Sequence, residues 1–252
     1  MIMVSSIRKH FERVSAAQAA ADAGEAPMQG AEYELKMAQY FEDYRRLKSI
    51  QSVERKIEVK REILPNYAEY VAGVLETGQG AQDEVIMRVM LWRIDVGDIA
   101  GALDIARYAI KHKLDPGEEF KRPTAAILVE ESADQALALA DDDDSLLDTL
   151  REIDTLTQGA DMHDQIRAKL HKALGNGHRA RGELPEAIAE YQRARELNER
   201  VGVKKDIERL ERELKNATPA TEPDSNTPST EPNSGATAET QTNTSQAPDA
   251  TG

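Results

Sequence analysis

The sequence predicts an all-α fold, and three observations support that prediction. Apolar residues recur three and four positions apart over much of residues 32–214, which is the spacing of one face of an α-helix. No segment alternates apolar and polar residues for long, as a half-buried strand would. Aromatic residues make up only 4% of the chain, so Ala, Leu, Ile and Val must fill the core, which favours helices over a β-sandwich.

The composition excludes several classes of protein. The chain has 252 residues with 46 acidic and 32 basic side chains, a net charge of −14, and no cysteine. Disulfide frameworks and cysteine nucleophiles are therefore excluded. The longest apolar run covers residues 125–129, whereas a membrane helix needs about 20 apolar residues. We therefore expect a soluble, intracellular protein of one or two domains, whose acidic balance disfavours a general nucleic-acid binder.

The first predicted region, residues 1–64, contains an Ala-rich helix followed by a long helix over Glu32–Leu64. Pro65 ends the long helix because proline cannot continue it. The apolar stripe of this helix is Tyr33, Met37, Tyr40, Tyr44 and Leu47, continued by Ile50, Val53, Ile57 and Leu64. A helix of that span is about 50 Å long, too long for one small core. We expect it to pair with another helix of this chain or, as our specific prediction, with equivalent helices of neighbouring subunits.

This first region also carries the main basic clusters that the sequence offers for phosphate contact. Seven basic residues against two glutamates give residues 44–61 a local charge of +5 inside an acidic protein. A smaller basic patch lies near the N-terminus. The predicted DNA-binding residues are Arg8, Lys9, Arg13, Arg45, Arg46, Lys48, Arg55, Lys56, Lys60 and Arg61. The alternative interpretation is a solvated helix face with intrahelical ion pairs, and only contact with the nucleic-acid backbone is expected in either patch.

The second predicted region, residues 65–160, contains helices separated by glycine-rich turns. Gly78 and Gly80 break the chain before a helix in whose first turn Asp83 and Glu84 complement the helix dipole. The acidic run of residues 141–144 is interpreted as a solvated loop, because adjacent carboxylates repel one another. The predicted helices are Ala81–Ile94, Ile99–Lys113 and a short helix around Leu146, Leu150 and Ile153.

The third predicted region, residues 161–216, ends in a helical hairpin. Asp161 is expected to cap a helix over Met162–Leu174, and Gly175 and Gly177 are expected to end it. Pro185 occupies the first turn of the next helix, where proline is tolerated. The remaining predicted helices are Leu184–Glu199 and a stretch carrying Val203, Ile207, Leu210 and Leu214. Residues 217–252 have five acidic and no basic residues and lack large aliphatic side chains, so they predict a disordered acidic tail.

Two segments of the chain are similar to each other. Residues 97–103 (GDIAGAL) and 182–188 (GELPEAI) both place a glycine turn at the start of a helix. The second copy is similar to a tetratricopeptide repeat through Leu174-Gly175, Gly182, Ala187, Tyr191 and Ala194. Two isolated hairpins fall short of the roughly three repeats that a solenoid needs. Packing and assembly are therefore the favoured role of these hairpins, over a peptide-binding groove.

No catalytic residue is predicted. The chain lacks an HExxH motif, a P-loop and a GxSxG motif, so the corresponding zinc, ATP-hydrolysing and serine-nucleophile sites are absent. The five histidines, at positions 10, 112, 163, 171 and 178, are expected on the surface or in packing. No metal site is predicted, and Mg²⁺ would be required only if this chain cleaves DNA.

Several segments together resemble the terminase small subunit of temperate phages with contractile tails, often called the terminase endonuclease subunit. The segments are residues 8–14, 78–83, 89–95, 97–103, 167–172 and 202–210. The resemblance covers about residues 5–215. It implies a protein of the bacterial host cytoplasm that binds double-stranded phage DNA at the packaging and cohesive-end site. It also implies recruitment of the large ATPase subunit, a role in genome cleavage and packaging into the procapsid, and assembly into a homo-oligomeric ring.

The alternative hypothesis is a tetratricopeptide-like adaptor that binds proteins without binding DNA. It rests on the predicted hairpin at residues 174–194 and on the acidic surface. The two hypotheses differ in whether the protein alone, or with the large subunit, retards DNA in a mobility-shift assay.

Overall fold

All regular secondary structure is helical in the part that the computed structural model describes, residues 6–117 and 120–217. The all-α prediction is thus confirmed. The α-helices are α1 Ser6–Ala23, α2 Ala31–Lys48, α3 Val53–Ile63, α4 Ala68–Thr77, α5 Glu84–Asp95, α6 Ile99–His112, α7 Thr124–Leu137, α8 Leu147–Thr157, α9 Asp164–Arg181, α10 Leu184–Leu197 and α11 Lys204–Ala217. Short 3-10 turns cover Leu64–Tyr67 and Glu199–Val201.

The predicted long helix over Glu32–Leu64 is wrong, because the chain breaks between α2 and α3. Ser49 Oγ donates to the Arg46 carbonyl at 2.7 Å at the end of α2. Ser52 caps α3, where its hydroxyl accepts the Arg55 N–H at 3.2 Å. These two serines satisfy backbone groups that a helix end leaves unpaired. Two shorter helices can therefore each turn an apolar face toward one core.

The tyrosine-bearing stripe packs inside the chain, so the prediction that it faces neighbouring subunits is also wrong. The Tyr40 ring lies 5.7 Å from the Trp92 ring, and the Tyr67 ring contacts Trp92 edge-on at 5.8 Å. Leu47 of α2 and Val59 of α3 are buried in the same core. The tyrosines and Leu47 of the stripe thus pack against α5 and the turn after α3, whereas Val53 is 71% exposed.

Helix α1 docks closely on α4 through small residues. Ala16 and Ala20 of α1 are fully buried, and Gly73 of α4 faces the Arg13 carbonyl and Ala16. The Thr77 hydroxyl donates to the Ala17 carbonyl at 2.5 Å. A glycine and alanines allow the two backbones to approach.

Helix α7 was not predicted from the sequence. It contains the longest apolar run of the chain, and residues 124–129 are all buried. Its second half has a polar face, where Glu131 and Asp134 are exposed while Ala133 is buried. The helix was not predicted because it begins with a continuous apolar run, which does not show the three-and-four spacing of the other helices.

The glycines of α9 do not end the helix, and Asp161 does not cap it, so both predictions are wrong. The helix begins after His163, whose side chain makes no capping hydrogen bond, and it continues through Gly175 and Gly177 to Arg181. A β-carbon on Gly175 would lie 2.5 Å from the Tyr191 ring, and one on Gly177 would lie 3.0 Å from Leu147. The glycines thus provide space for neighbouring helices.

The two similar segments, around Gly97 and Gly182, have the same local geometry. Gly97 has φ 84° and Gly182 has φ 80°, a left-handed conformation that favours glycine. The next residue, Asp98 or Glu183, donates its N–H to a carbonyl five residues back, at 2.8 and 2.9 Å. Its carboxylate contacts the side chain of that same residue, at 2.7 and 2.6 Å. The internal similarity thus reflects a repeated helix–turn–helix connection, and the tetratricopeptide assignment stays a prediction.

The described residues make one compact unit that ends at Ala217. The boundaries between predicted regions after residues 64 and 160 fall inside this unit, and the roles assigned to those regions stay predictions. The predicted acidic tail lies outside the described residues beyond Ala217. None of the helices in residues 6–117 and 120–217 has the length and apolarity to cross a membrane.

Candidate nucleic-acid interface

The larger set of residues predicted to contact phosphate flanks the turn between α2 and α3. Three of them end α2, and the other four lie on α3. Ser52 holds the turn as the cap of α3. Arg55 also pairs with Glu58 one turn later, at 2.6 Å, as the alternative interpretation of intrahelical ion pairs expected. The turn between α2 and α3, rather than a continuous helix, positions the cluster.

Two of the predicted DNA-binding cations pair with carboxylates that lie outside residues 44–61, the segment whose charge was counted as +5. Arg46 makes two hydrogen bonds to Glu62, at 3.2 and 2.8 Å, and this contact lowers the pKa of Glu62. Lys60, whose side chain is 15% exposed, forms an ion pair with Asp95 of α5. Including Glu62 and Asp95 reduces the local charge of the cluster from +5 to +3. Arg46 and Lys60 are therefore already paired with carboxylates of this chain.

Four cations of the cluster form no ion pair within the described chain and are the better candidates for phosphate contact. Arg45 and Arg61 are exposed and each donates only to a backbone carbonyl, at 3.2 and 3.3 Å. The Lys48 ammonium lies 5.1 Å from the Tyr44 ring centre, and Lys56 is half-exposed. We call Arg45, Lys48, Lys56 and Arg61 the corner cations.

The predicted cations of α1 are separate from the corner cations. Arg8 and Lys9 are exposed without an ion pair in the described residues, and Arg13 pairs with Glu76 of α4 at 3.0 Å. Arg8 lines a groove between α1 and α2 together with Glu42. No contact between described residues joins the two basic groups.

The acidic run at residues 141–144 forms ion pairs with arginines at the C-terminal end of α9. Arg179 bonds the Asp141 carboxylate at 2.9 Å, and Arg181 bonds Asp144 at 2.8 Å and Asp148 at 3.1 Å. Asp141 is almost fully exposed, so its pair contributes little stability. The loop is solvent-facing, as predicted, and it neutralises the basic C-terminal turn of α9.

The structure adds no nuclease centre to the sequence prediction. Among the described residues no three carboxylates or imidazoles converge to hold a metal ion. His171 and His178 contact Glu190 and Glu183 at 2.7 and 2.6 Å, so each pairs with one carboxylate. Catalytic residues stay unassigned.

A buried carboxylate at the start of α5 was interpreted from sequence only as a first-turn acid. Asp83 is fully buried, and its carboxylate accepts the N–H groups of Val85 and Ile86 at 2.8 and 3.2 Å. It also accepts the Tyr70 hydroxyl at 2.7 Å. Burial is the main cause that raises the pKa of Asp83 to about 6. This network joins α4 to α5.

A buried lysine was missed by the sequence analysis. Lys36 is only 5% exposed; it pairs with Glu12 of α1 and donates to the Asn66 carbonyl at 2.8 Å. The signal was its position four residues before Tyr40, on the buried face of α2. Lys36 thus links α1, α2 and the turn after α3.

Comparisons with known proteins assign a family to this helical chain. Residues 37–165 match a family model described as the phage small terminase subunit. The chain is 47% identical over 225 residues to the "Terminase, endonuclease subunit" of Escherichia phage P2, covering 88% of this chain and 89% of that protein. No solved structure matches the chain. The family match begins within α2 and includes both α3 and the corner cations.

Proposed function

From the premise that this chain belongs to the phage small terminase subunit family, we propose that it binds double-stranded phage DNA and recruits the large ATPase subunit. Binding would occur at the packaging and cohesive-end site, in the cytoplasm of the bacterial host. A role in phage DNA packaging follows from the family; the contacts that perform it are our proposal.

The observation that carries DNA binding is the set of corner cations. They lie within the region matched by the family model, and no carboxylate of the described chain neutralises them. Residues 1–216 have a net charge of −9, so the whole-molecule field repels DNA. A local cluster of cations can still bind phosphates, because the field at the contact decides the interaction. Assembly into a homo-oligomer, which we propose with the ring form, would repeat the cluster and strengthen weak contacts.

Charge reversal at the corner should weaken DNA binding without affecting the fold. We expect the triple variant Arg45→Glu, Lys48→Glu, Lys56→Glu to bind phage end DNA at least about tenfold more weakly near 0.1 M salt. The slope of log affinity against log salt should also become shallower, since fewer counterions are released. Arg46 and Lys60 are left unchanged because each already pairs with a carboxylate of the chain. A mobility-shift assay over a salt series measures both effects.

The matched control reverses three exposed lysines elsewhere: Lys111→Glu, Lys121→Glu, Lys205→Glu. It has the same net charge change, so equal losses in both variants would indicate a general charge effect. Binding by the corner variant equal to that of the parent would move the DNA surface to Arg8, Lys9 and Arg13. Absence of binding by the parent at low salt, with the large subunit present, would contradict DNA binding itself.

We also propose that the chain supports genome cleavage. The phage P2 relative is named an endonuclease subunit, and no metal-holding group is present among the described residues here. Pure protein should be incubated with cohesive-end DNA and Mg²⁺, without the large subunit. Specific nicking would assign cleavage to this chain, and intact DNA would assign it a supporting role.

The second candidate function is a protein adaptor without DNA binding. One observation favours it: exposed apolar side chains gather on α1 and α2. Co-purification with the large subunit, combined with no DNA binding under any salt condition, would support this candidate.

A further inference from the structure

Arg46 is held by Glu62 in the geometry that an arginine uses to bind phosphate. Its terminal nitrogens donate to the two carboxylate oxygens of Glu62, Nη1 to Oε1 at 3.2 Å and Nη2 to Oε2 at 2.8 Å. The planar fork of a guanidinium binds two oxygens of a carboxylate or of a phosphate in the same bidentate way. The Glu62 carboxylate therefore occupies the position that two phosphate oxygens would take.

This ion pair is open to an incoming phosphate. The side chains of Arg46 and Glu62 are 43% and 61% exposed. An exposed pair of this kind is weak, because water and salt screen it. The side chain of Lys60, by contrast, is only 15% exposed in its pair with Asp95. Of the two paired cations near the corner, Arg46 is the one that can change partner at the surface.

The pair also lies next to corner cations on both helices. Arg46 lies between Arg45 and Lys48 in the last turn of α2. Glu62 follows Arg61 in the last turn of α3. Consecutive Cα atoms are about 3.8 Å apart, so a DNA strand bound at Arg45 and Arg61 passes beside the pair. Its phosphates would attract the guanidinium and repel the carboxylate.

We propose that the Glu62 carboxylate competes with DNA phosphate for Arg46, and that DNA binding exchanges one for the other. In the free protein Arg46 is occupied by Glu62. In the complex a phosphate takes the place of the carboxylate, and Arg46 joins the four corner cations as a fifth phosphate contact. Glu62 lowers the affinity for DNA because its own pair must be given up, and it acts on DNA through Arg46.

This inference rests on the DNA binding that is proposed above for the corner cations, and it adds an internal competitor to that same site. It is independent of the oligomeric state, of the large subunit and of DNA cleavage. It also gives Arg46 a role in the complex that its ion pair conceals in the free protein.

Glu62→Gln is the first test, made on the full chain with phage end DNA in a mobility-shift assay over a salt series. The variant should bind about threefold to fivefold more tightly near 0.1 M salt, which is the strength of an exposed ion pair. The slope of log affinity against log salt should become steeper by up to about 0.9, since one more cation displaces counterions from the DNA. Loss of a contact with a purely structural role would not steepen this slope.

The matched control is Glu196→Gln on α10. Glu196 is 64% exposed and pairs with Arg193 at 2.8 Å, so the control removes the same charge and one exposed ion pair. Its affinity for DNA and its salt slope should equal those of the parent. Both variants should keep the circular dichroism spectrum of the parent, because exposed pairs contribute little to stability.

A double-mutant cycle tests whether Glu62 acts through Arg46. The gain from Glu62→Gln should be much smaller when Arg46→Gln is also present, because the released guanidinium is then missing. Arg46→Lys keeps the charge but loses the planar fork, so it should retain only part of the gain.

The outcomes separate this inference from the proposed function. A parent that does not bind DNA, even at low salt and with the large subunit present, overturns both. If the parent binds DNA and Glu62→Gln binds no more tightly than the parent or Glu196→Gln, the exchange alone is overturned. An equal gain with and without Arg46 would show that Glu62 acts only as a nearby negative charge, and this result too would overturn the exchange.

Discussion

Replacing Asp83 with Ala should lower the free energy of unfolding by about 3 kcal/mol at pH 5. The loss of the side chain that caps α5 costs about 1 kcal/mol. The Tyr70 hydroxyl, fully buried with its residue, would lose the acceptor at 2.7 Å, and a buried unpaired polar group costs about 1–3 kcal/mol. Urea denaturation followed by circular dichroism measures the change.

The same residue should make stability depend on pH. The pKa of Asp83 is about 6 in the folded chain against 3.8 as its ordinary value, so between these values the folded state binds more protons than the unfolded state. The contribution of Asp83 is therefore fully present below about pH 4 and is lost as pH rises through about 6. A shift of about two units corresponds to about 3 kcal/mol.

The control for this pH effect is Asp83→Asn. Asparagine keeps an oxygen that caps α5 but carries no charge, so its stability relative to the parent should increase from pH 4 to pH 7. Taking the difference between the two curves removes the titration of the other carboxylates. A difference that is flat over this range would contradict a buried, titrating Asp83.

Replacing Gly73 with Ala should destabilise the chain by about 2 kcal/mol, although alanine is the better helix former. A β-carbon there would overlap the Arg13 carbonyl oxygen and lie 2.9 Å from the Ala16 β-carbon. The gain in helix propensity is about 1 kcal/mol. Overpacking against a backbone costs typically 1–3 kcal/mol and occasionally more, and here the obstacle is backbone that a side-chain rotation cannot relieve. The free-energy cost of the clash should exceed the gain in helix propensity, and α1 should separate from α4.

The matched control is Gly159→Ala, where a β-carbon would meet nothing within 4 Å. Hydrogen exchange of the α1 amides should accelerate in Gly73→Ala and stay unchanged in the control. A Gly73→Ala variant within about 0.5 kcal/mol of the parent would show that α1 does not dock on α4 as described.

The apolar spacing predicted the helices that bury one face. It missed α7, and it did not predict the break between α2 and α3. The stripes of α5 and α6 revealed those helices, and Asp83 and Asp98 cap them. Helix α7 begins with the continuous apolar run of residues 125–129, which shows no stripe. The stripe that runs on past Ser49 and Ser52 suggested one helix, because two helices on the same core repeat the same spacing.

The candidate site was predicted in its charges but not in its contacts. The surplus of cations between residues 44 and 61 is visible in the sequence. Which of them are neutralised depends on Glu62 and Asp95, and Asp95 is 35 residues from Lys60. The choice of Arg45, Lys48, Lys56 and Arg61 as corner cations therefore required the packing of α3 against α5.

The sequence by itself determined the helical class, the family resemblance and the basic segment, because local spacing, motif residues and charge are properties of neighbours along the chain. Only the tertiary structure decided that Gly73 and Gly175 serve helix contact, that the tyrosine stripe is internal, and that Ile7, Phe11 and Val14 stay uncovered. The physical reason is that burial and ion pairing depend on distances between residues far apart in sequence. The same apolar spacing appears whether a face meets its own core or a second chain.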